Sequence, residues 1–353
     1  MRGRWYSTFG PGHDGRFASC RKCSMSRLER AADIARGAGK GPPAAGVPTA
    51  VGSVGTACFV ASVDAHRAAR RAMSSGGVAR RPQKALTTYA HVNPAHCLVR
   101  GLFAKRKDGE RPKIDLHAEY AGVHIHFVGA NALGALDLRV LAAIVALAGR
   151  DGVEANTDTP VAQPLMVAAQ NADMSPLPGD SVTRYIHVSR RALAREIGRV
   201  ETGGAVDCIF GSIERMADIT LHCRTQEWKW SSRLLSYICR RAGDEITIVI
   251  NPRLAAAVAC GGQYTHLDMS ALRALSDVGV LLYHRLVSFV DRGTARTVGL
   301  RILVGYVWTD PATPNVIWKR RAKVRVAMRA IGALPGWSVQ LREGDLFSIA
   351  RVP

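Results

Sequence analysis

The sequence predicts an α+β, mainly helical fold with two tandem winged helix-turn-helix domains. Residues 89–353 contain two successive runs in which amphipathic helix patterns are followed by alternating strand patterns. Helix, helix, then paired strands is the order of a winged helix-turn-helix. Residues 1–88 show no such periodicity. We therefore expect a disordered basic N-terminal extension over 1–88, one winged-helix domain over 89–250 and a second over 251–353.

The extension is rich in Gly, Ala, Ser, Pro and Arg, as in residues 37–43, and offers too little apolar surface to fold. Translation from an internal methionine such as Met73 is an equally simple explanation of this segment. Cys20 and Cys23 have the spacing of half a zinc or redox site, but no second pair accompanies them. The other cysteines are scattered singly, which favours a reducing cytoplasm.

The charge of the 353-residue chain indicates the class of partner. Its formal net charge is +20, and more than half of that excess lies in residues 1–88. This balance favours nucleic acid or an anionic surface over an acidic small substrate. No stretch approaches the roughly 20 apolar residues that a membrane-spanning helix requires. We therefore expect a cytoplasmic protein with no membrane partner.

The first predicted domain starts with a strand pair. Residues 114–128 alternate in polarity on both sides of Ala121-Gly122, which predicts a β-hairpin. A helix is predicted over about 136–148, and the four prolines of residues 150–180 predict a long loop. Two helices and three strands complete the domain, over 189–198, 206–216, 219–223, 234–239 and 246–250.

The second predicted domain repeats that order. Three helices and a closing hairpin are predicted, over 270–290, 298–308, 314–331, 338–341 and 346–350. Thr313 at the N-cap and Pro314 at the first helical position favour a clean start of the third helix. The apolar positions of that helix fall on one side: Ile317, Val324, Met328 and Ile331.

The third helix is the main candidate for contact with double-stranded DNA because cations surround its apolar stripe. Lysine and arginine reach guanine N7 and O6 in the major groove, and small apolar groups contact thymine methyls. A solvated charged surface is the simpler alternative, but it would normally carry acidic partners at i+4. Trp318 is the tryptophan placed best to meet DNA. The predicted contacts are Lys319, Arg320, Arg321, Ala322, Lys323, Arg325, Val326 and Arg329.

The corresponding helix of the first domain has an acidic outward side, with Asp207, Glu214 and Asp218. Phosphate repels such a surface, so we expect little base recognition there. Arg190 and Arg191 beside it are predicted to hold the DNA backbone. Dimer or inter-domain packing is the rival use of this region, and a homodimer is left open.

Several short strings also match one known family in order and spacing. They lie at 91–98, 101–103, 136–141, 147–149, 191–198, 261–263, 273–275, 305–308 and 319–321. Through them, residues 91–353 resemble the IncQ-type plasmid replication initiators, known as replication protein C. The resemblance implies winged-helix domains that bind iteron repeats at the plasmid origin and help to open adjacent AT-rich duplex. It also implies a plasmid-encoded helicase and primase as partners.

Two other functions compete with an initiator. A winged-helix transcriptional repressor would use the same module on a palindrome instead of direct repeats. A metal-dependent nickase would use His124-Ile125-His126, which puts two imidazoles on one side of a strand, and a nucleophile such as Tyr283. Tyr283 lacks a companion tyrosine or lysine, and two exposed histidines are the simpler interpretation. We therefore expect a non-enzyme with no catalytic residue, no metal and no cofactor.

Overall fold

The computed structural model describes residues 85–105, 111–154, 184–239, 243–258 and 264–352. These residues all belong to one unit, 84–353. The predicted extension lies outside the described residues except for 85–88, and the predicted loop lies outside them except for 150–154. Among the described residues, no helix combines the length and the apolar character needed to cross a membrane.

Two four-stranded antiparallel sheets dominate the first part of this unit. They have the orders β2-β3-β6-β7 and β4-β5-β9-β8, and β1 pairs separately with β10. The strands are β1 (Tyr89–Val92), β2 (Ile114–Tyr120), β3 (Val123–Gly129), β4 (Val153–Glu154), β5 (Arg184–Ser189), β6 (Thr220–Arg224), β7 (Lys229–Arg233), β8 (Leu235–Cys239), β9 (Glu245–Ile250) and β10 (Thr265–Asp268).

The predicted fold class is wrong, because the chain is not mainly helical. About 43% of the described residues are helix and 32% are strand, and these strands form four antiparallel sheets. The error lies in the partners of the strands. The strands after residue 218 were expected to form a small wing, whereas β6 pairs with β3 and β9 pairs with β5. Alternation shows which side of a strand is buried, but it does not identify the neighbouring strand.

The predicted hairpin over 114–128 is confirmed as β2 and β3, with Ile114 opposite Gly129 and Tyr120 opposite Val123. Its two turn residues have positive φ values, 53° at Ala121 and 76° at Gly122. That backbone is the one that a two-residue hairpin turn requires, and Gly122 adopts it without strain.

Helix α2 is the centre of the core. The helices before residue 275 are α1 (Pro94–Leu98), α2 (Ala135–Asp151), α3 (Arg190–Glu196), α4 (Gly203–Ala217), α5 (Pro252–Val258) and α6 (Met269–Ala274). Residues 137–148 of α2 are all buried, as expected for a helix that other elements surround. Both α4 and the later helix α7 (Asp277–Val287) pack against it.

The last part contains α7, β11 (Ala295–Gly299), α8 (Leu300–Val307), α9 (Pro314–Gly332), β12 (Trp337–Arg342) and β13 (Leu346–Arg351). The predicted helix over 270–290 is wrong in one respect, since it is two helices, α6 and α7. Ser276 ends the continuity because its hydroxyl accepts a hydrogen bond from the Gly279 N–H and caps α7. The predicted closing hairpin is confirmed, and β11 adds a third strand in the order β11-β13-β12.

Buried polar contacts connect residues on both sides of position 250. Arg139 of α2 donates to Asp277 Oδ1 at 2.7 Å and to the Leu275 carbonyl at 2.6 Å. Arg273 donates to the Thr87 carbonyl at 3.1 Å and forms an ion pair with the buried Glu196 at 3.4 Å. These contacts fix α6 and α7 on the body formed by the first part. The predicted domain boundary between 250 and 251 stays a prediction.

Candidate nucleic-acid interface

The basic helix α9 starts where predicted. Thr313 occupies the N-cap in an extended conformation and Pro314 occupies the first helical turn. Within the described residues, the Thr313 hydroxyl makes no capping hydrogen bond. Proline therefore contributes the most to this start, because its φ is fixed near the helical value and it lacks the N–H that would need a partner.

The buried stripe of α9 consists of Val324, Ala327, Met328 and Ile331, each at most 1% exposed. These positions follow the spacing i, i+3, i+4 and i+7, and α9 packs with them on α7, α8 and β12. Ile317 was predicted to join the stripe, and this is wrong because Ile317 is 37% exposed. Residues 313–319 are all exposed, so the first turns of α9 extend beyond the packed body.

Spacing around the helix predicts that Lys319, Ala322, Val326 and Arg329 point outward, and all but Ala322 are exposed. Lys319, Lys323, Val326 and Arg329 are exposed, while Arg321 and Ala322 are half-buried. Among the residues that the structure describes, Lys319, Arg321, Lys323 and Arg329 form no ion pair. Their positive charge is therefore available to a polyanion. Contact with DNA itself stays a prediction.

Arg320 and Arg325 are engaged within the protein. Arg320 donates to the Asp310 carbonyl at 3.0 Å, pairs with the Asp310 carboxylate and lies over the Trp308 ring, 5.4 Å from its centroid. Arg325 donates to Asp345 Oδ1 at 2.7 Å in the turn between β12 and β13. These two arginines fix α9 to the segment before it and to the hairpin after it.

The partners Asp310 and Asp345 were missed in the sequence. Residues 314–332 contain no Asp or Glu, so acidic residues on either side of the helix are the natural partners for its cations. The lack of acidic residues within the helix would have suggested ion pairs with flanking aspartates. It would not have indicated which arginine pairs with which aspartate.

An apolar patch occupies the exposed first turns of α9. Trp318 is 68% exposed, and Val316 and Ile317 lie beside it in sequence and are also exposed. A large aromatic side chain next to unpaired cations can stack on a base as well as contact a protein. Trp318 therefore lies where it was expected to meet a partner.

Helix α4 has the opposite character. Its predicted stripe was Val206, Ile209, Ile213 and Met216, of which the last three are fully buried and Val206 is half-buried. Asp207, Glu214 and Asp218 are exposed on its outward side. Burial, followed by the Glu214 carboxylate, raises the pKa of the nearby Tyr237 hydroxyl. The surface of α4 is thus negative, as the sequence predicted.

The two arginines at the start of α3 differ in their exposure. Arg190 has a half-buried side chain that donates to the Gly243 carbonyl and lies over the Phe210 ring at 5.1 Å. Arg191 has a side chain that is 65% exposed, and its Nε lies 4.0 Å from Asp244. Only Arg191 presents its charge to solvent, so it is the better placed of the two for a phosphate.

The candidate residues of the alternative nickase differ in burial, because the histidines face the open side of the sheet and the tyrosine is buried. His124 and His126 lie on the open side of β3, as predicted. Tyr283 is 2% exposed, and its hydroxyl accepts a hydrogen bond from the Asp268 N–H at 3.2 Å. Burial raises the pKa of Tyr283 to about 12. The nucleophile of a nickase must reach a phosphodiester as an alkoxide or phenolate. Tyr283 does not suit this role, because its hydroxyl is buried and is hard to deprotonate.

Comparison with known proteins gives a family match. A family model described as replication protein C (RepC) matches residues 84–353. No curated protein matches the chain. Two crystal structures of domains 2 and 3 of RctB align with the chain. The first has a TM-score of 0.46 and 11% sequence identity, and the alignment covers 74% of this chain and 99% of that chain. The second has a TM-score of 0.42 and 12% identity, and the alignment covers 70% of this chain and 93% of that chain. At these scores the alignments do not establish a common fold.

Proposed function

This chain belongs to the replication protein C (RepC) family of replication initiators, and on that premise we propose that it binds iteron repeats in double-stranded plasmid origin DNA through α9. The observation that carries the proposal is the free charge on this helix. Lys319, Arg321, Lys323 and Arg329 have no acidic partner among the described residues, and the first turns of the helix stand clear of the body.

A helix with these properties suits the major groove. The groove is about 12 Å wide and admits one α-helix, and the positive end of the helix dipole lies at its N-terminus, where α9 is most exposed. We assign base contacts to Lys319, Ala322, Val326 and Arg329 because they share the outward side. Arg321 and Lys323, on the flanks, contact phosphate.

Arg320 and Arg325 have a different role in this proposal. Each has an acidic partner, so contact with phosphate would require it to give up an existing ion pair. We therefore assign them to positioning α9, in place of the direct DNA contact expected from the sequence. Arg191 also has an acidic neighbour, but at 4.0 Å from Asp244 and with a side chain 65% exposed it has less to give up, so we assign it a phosphate contact from α3, supported by Arg190 through Phe210 and Gly243.

Initiation follows from binding in this proposal. Occupied repeats would destabilise the adjacent AT-rich duplex, and the plasmid helicase and primase would load there. A homodimer on the DNA is compatible with direct repeats but is not required by them. No resident cofactor, metal or catalytic residue enters these steps.

Binding measurements on origin DNA test the proposal. Replacing Arg329 with Ala should cost about 1–3 kcal/mol and relax the preference at one base pair. Replacing Arg321 with Ala should instead weaken binding to all sequences alike and lower the salt slope by about 1. Arg320→Ala serves as the control for a positioning residue and should retain the salt slope. Binding profiles of Arg329→Ala that match the unmodified protein across all site variants would contradict the assignment.

Footprinting separates the initiator from its alternatives. Protection of several direct repeats beside an AT-rich segment supports initiation, whereas one palindromic footprint indicates a repressor. A covalent tyrosine adduct on supercoiled origin DNA would identify a nickase.

A further inference from the structure

We propose that the open side of the sheet β2-β3-β6-β7 carries a binding site for a divalent transition metal of the zinc type. Its ligands are Asp115, His117 and His126, whose ligand atoms all lie within 4.8 Å of one another. The site is independent of α9 and of DNA binding. It also differs from the His124-His126 pair that the sequence motif suggested.

Strand register builds this cluster. Alternation along β2 puts Asp115 and His117 on one side of the sheet, while Ile114 points into the core. His117 lies directly opposite His126 on β3, so their Cβ atoms are about 5 Å apart. Ile125 and Phe127 flank His126 in the chain and are fully buried, which fixes β3 beneath it. Ligands carried by paired strands are held more precisely than ligands on loops.

The distances suit one metal ion. Asp115 Oδ1 lies 2.7 Å from His126 Nε2 and 3.7 Å from His117 Nε2. Ligands about 2.1 Å from a tetrahedral zinc ion are about 3.4 Å from each other, a value between those two distances. The two imidazoles are stacked with their centroids 4.0 Å apart and their planes at 14°, so one ring has to turn out of the stack before both nitrogen lone pairs can reach one metal ion.

A shared carboxylate also indicates a cation. Asp115 faces two imidazoles, and a single hydrogen bond to His126 leaves His117 beside the same oxygen at a longer distance. A bound metal ion would satisfy all three groups together, because imidazole nitrogens and a carboxylate oxygen are all ligands for it. Imidazole ligands favour zinc, nickel or copper, whereas magnesium and calcium favour oxygen alone.

His222 lies next to the cluster but is not one of the three residues whose ligand atoms are within 4.8 Å of one another. It lies opposite His126 on β6, is exposed, and has its ring centroid 5.9 Å from that of His126. A metal that recruits His222 would link β2, β3 and β6. Without it, water completes the coordination.

Metal titration of the full-length protein tests the site. We expect Zn²⁺ binding in calorimetry, a raised melting temperature that a chelator reverses, and a visible Co²⁺ spectrum of nitrogen and oxygen ligands. His117→Ala and Asp115→Asn should each weaken metal binding by at least about tenfold. Both side chains are exposed, and circular dichroism of each variant will show whether the fold is retained.

The Glu119–His124 pair is the matched control. It lies on the same two strands, with His124 Nδ1 3.9 Å from Glu119 Oε2, but it offers only two groups. His124→Ala should change the affinity less than twofold. An equal loss in His124→Ala and His117→Ala would overturn the assignment. So would unchanged binding in both His117→Ala and His126→Ala, or a Co²⁺ spectrum with thiolate charge transfer, which would locate the metal at cysteines.

Discussion

Helices α4 and α9 have the same buried spacing and opposite outward charge. Ile209, Ile213 and Met216 repeat the i, i+4, i+7 pattern of Val324, Met328 and Ile331, and all six side chains are fully buried. The outward side is acidic on α4 and cationic on α9. The buried residues determine how a helix is attached to the body, and the exposed residues determine which partner it accepts.

The arginine of α4, Arg215, increases the contrast in outward charge between the two helices. Arg215 turns inward and donates to the fully buried Asp137 at 2.6 Å, so its charge does not offset the outward acids. On α9, by contrast, only Arg320 and Arg325 have acidic partners among the described residues, and four other cations have none there. The direction in which an arginine points matters as much as its presence in the helix.

The largest expected effect comes from removing the free charge of α9. Replacing Lys319, Lys323 and Arg329 together with Ala should weaken origin binding by about three orders of magnitude, and the loss of the phosphate contact of Lys323 should lower the salt slope by about 1. Fluorescence anisotropy at several salt concentrations measures both values. Retention of the full salt slope would mean that another surface holds the DNA.

One methionine in each buried stripe allows a test of whether the stripes of α4 and α9 stabilise the fold equally. Met216→Ala and Met328→Ala should each lower the free energy of unfolding by about 2–5 kcal/mol, because both side chains are fully buried. Chemical denaturation gives these values. Val326→Ala is the exposed control on α9 and should change stability by less than about 0.5 kcal/mol. A much smaller loss for one methionine would show that the two stripes are not equivalent.

We expect acid to destabilise the folded protein at α7, the helix on which α9 packs. His284 of α7 is buried, and burial followed by the charge of Arg285 lowers its pKa to about 3. The unfolded chain takes up a proton near the ordinary pKa of 6.5, whereas the folded chain does not. The free energy of unfolding therefore keeps its full value above pH 6.5 as far as His284 is concerned. It falls as the pH is lowered, by about 2 kcal/mol at pH 5. His284→Leu should flatten this acid limb in denaturation curves at pH 7 and pH 5. An acid limb identical to that of the unmodified protein would assign it to other groups.

The smallest expected effect comes from neutralising α4. Replacing Asp207, Glu214 and Asp218 with the corresponding amides should leave specific binding unchanged or improve it slightly, because these carboxylates only repel phosphate at long range. The same anisotropy assay measures the change. A clear loss of affinity would show that α4 contributes directly to the complex.

The sequence was most informative where the pattern was local. Val324, Met328 and Ile331 set the orientation of α9, and Pro314 marks its start, so its outward side could be derived from spacing alone. The position of Ile317 could not, because its exposure depends on how far the body extends beneath the first turns. The partners of Arg320 and Arg325 likewise depend on the approach of Asp310 and Asp345 in three dimensions.

Long-range pairing was the main failure. Thr220 pairs with Val128 and Ile246 with Val188, and no periodicity within either strand identifies those partners. The cluster of Asp115, His117 and His126 escaped notice for the same reason. The pattern His124-Ile125-His126 is visible along one strand, whereas the closer grouping appears only once the register between two strands is known.

The pairing of β4 with β5 has a practical consequence for experiments. Glu154 on the edge strand β4 lies opposite Arg184 on the next strand β5, so the chain leaves and re-enters the sheet at paired positions. A segment inserted between residues 154 and 184 would therefore begin and end on neighbouring strands, and loop length alters closure entropy only slowly. A reporter domain inserted there would allow the protein to be followed on its plasmid in living cells while α9 is left untouched.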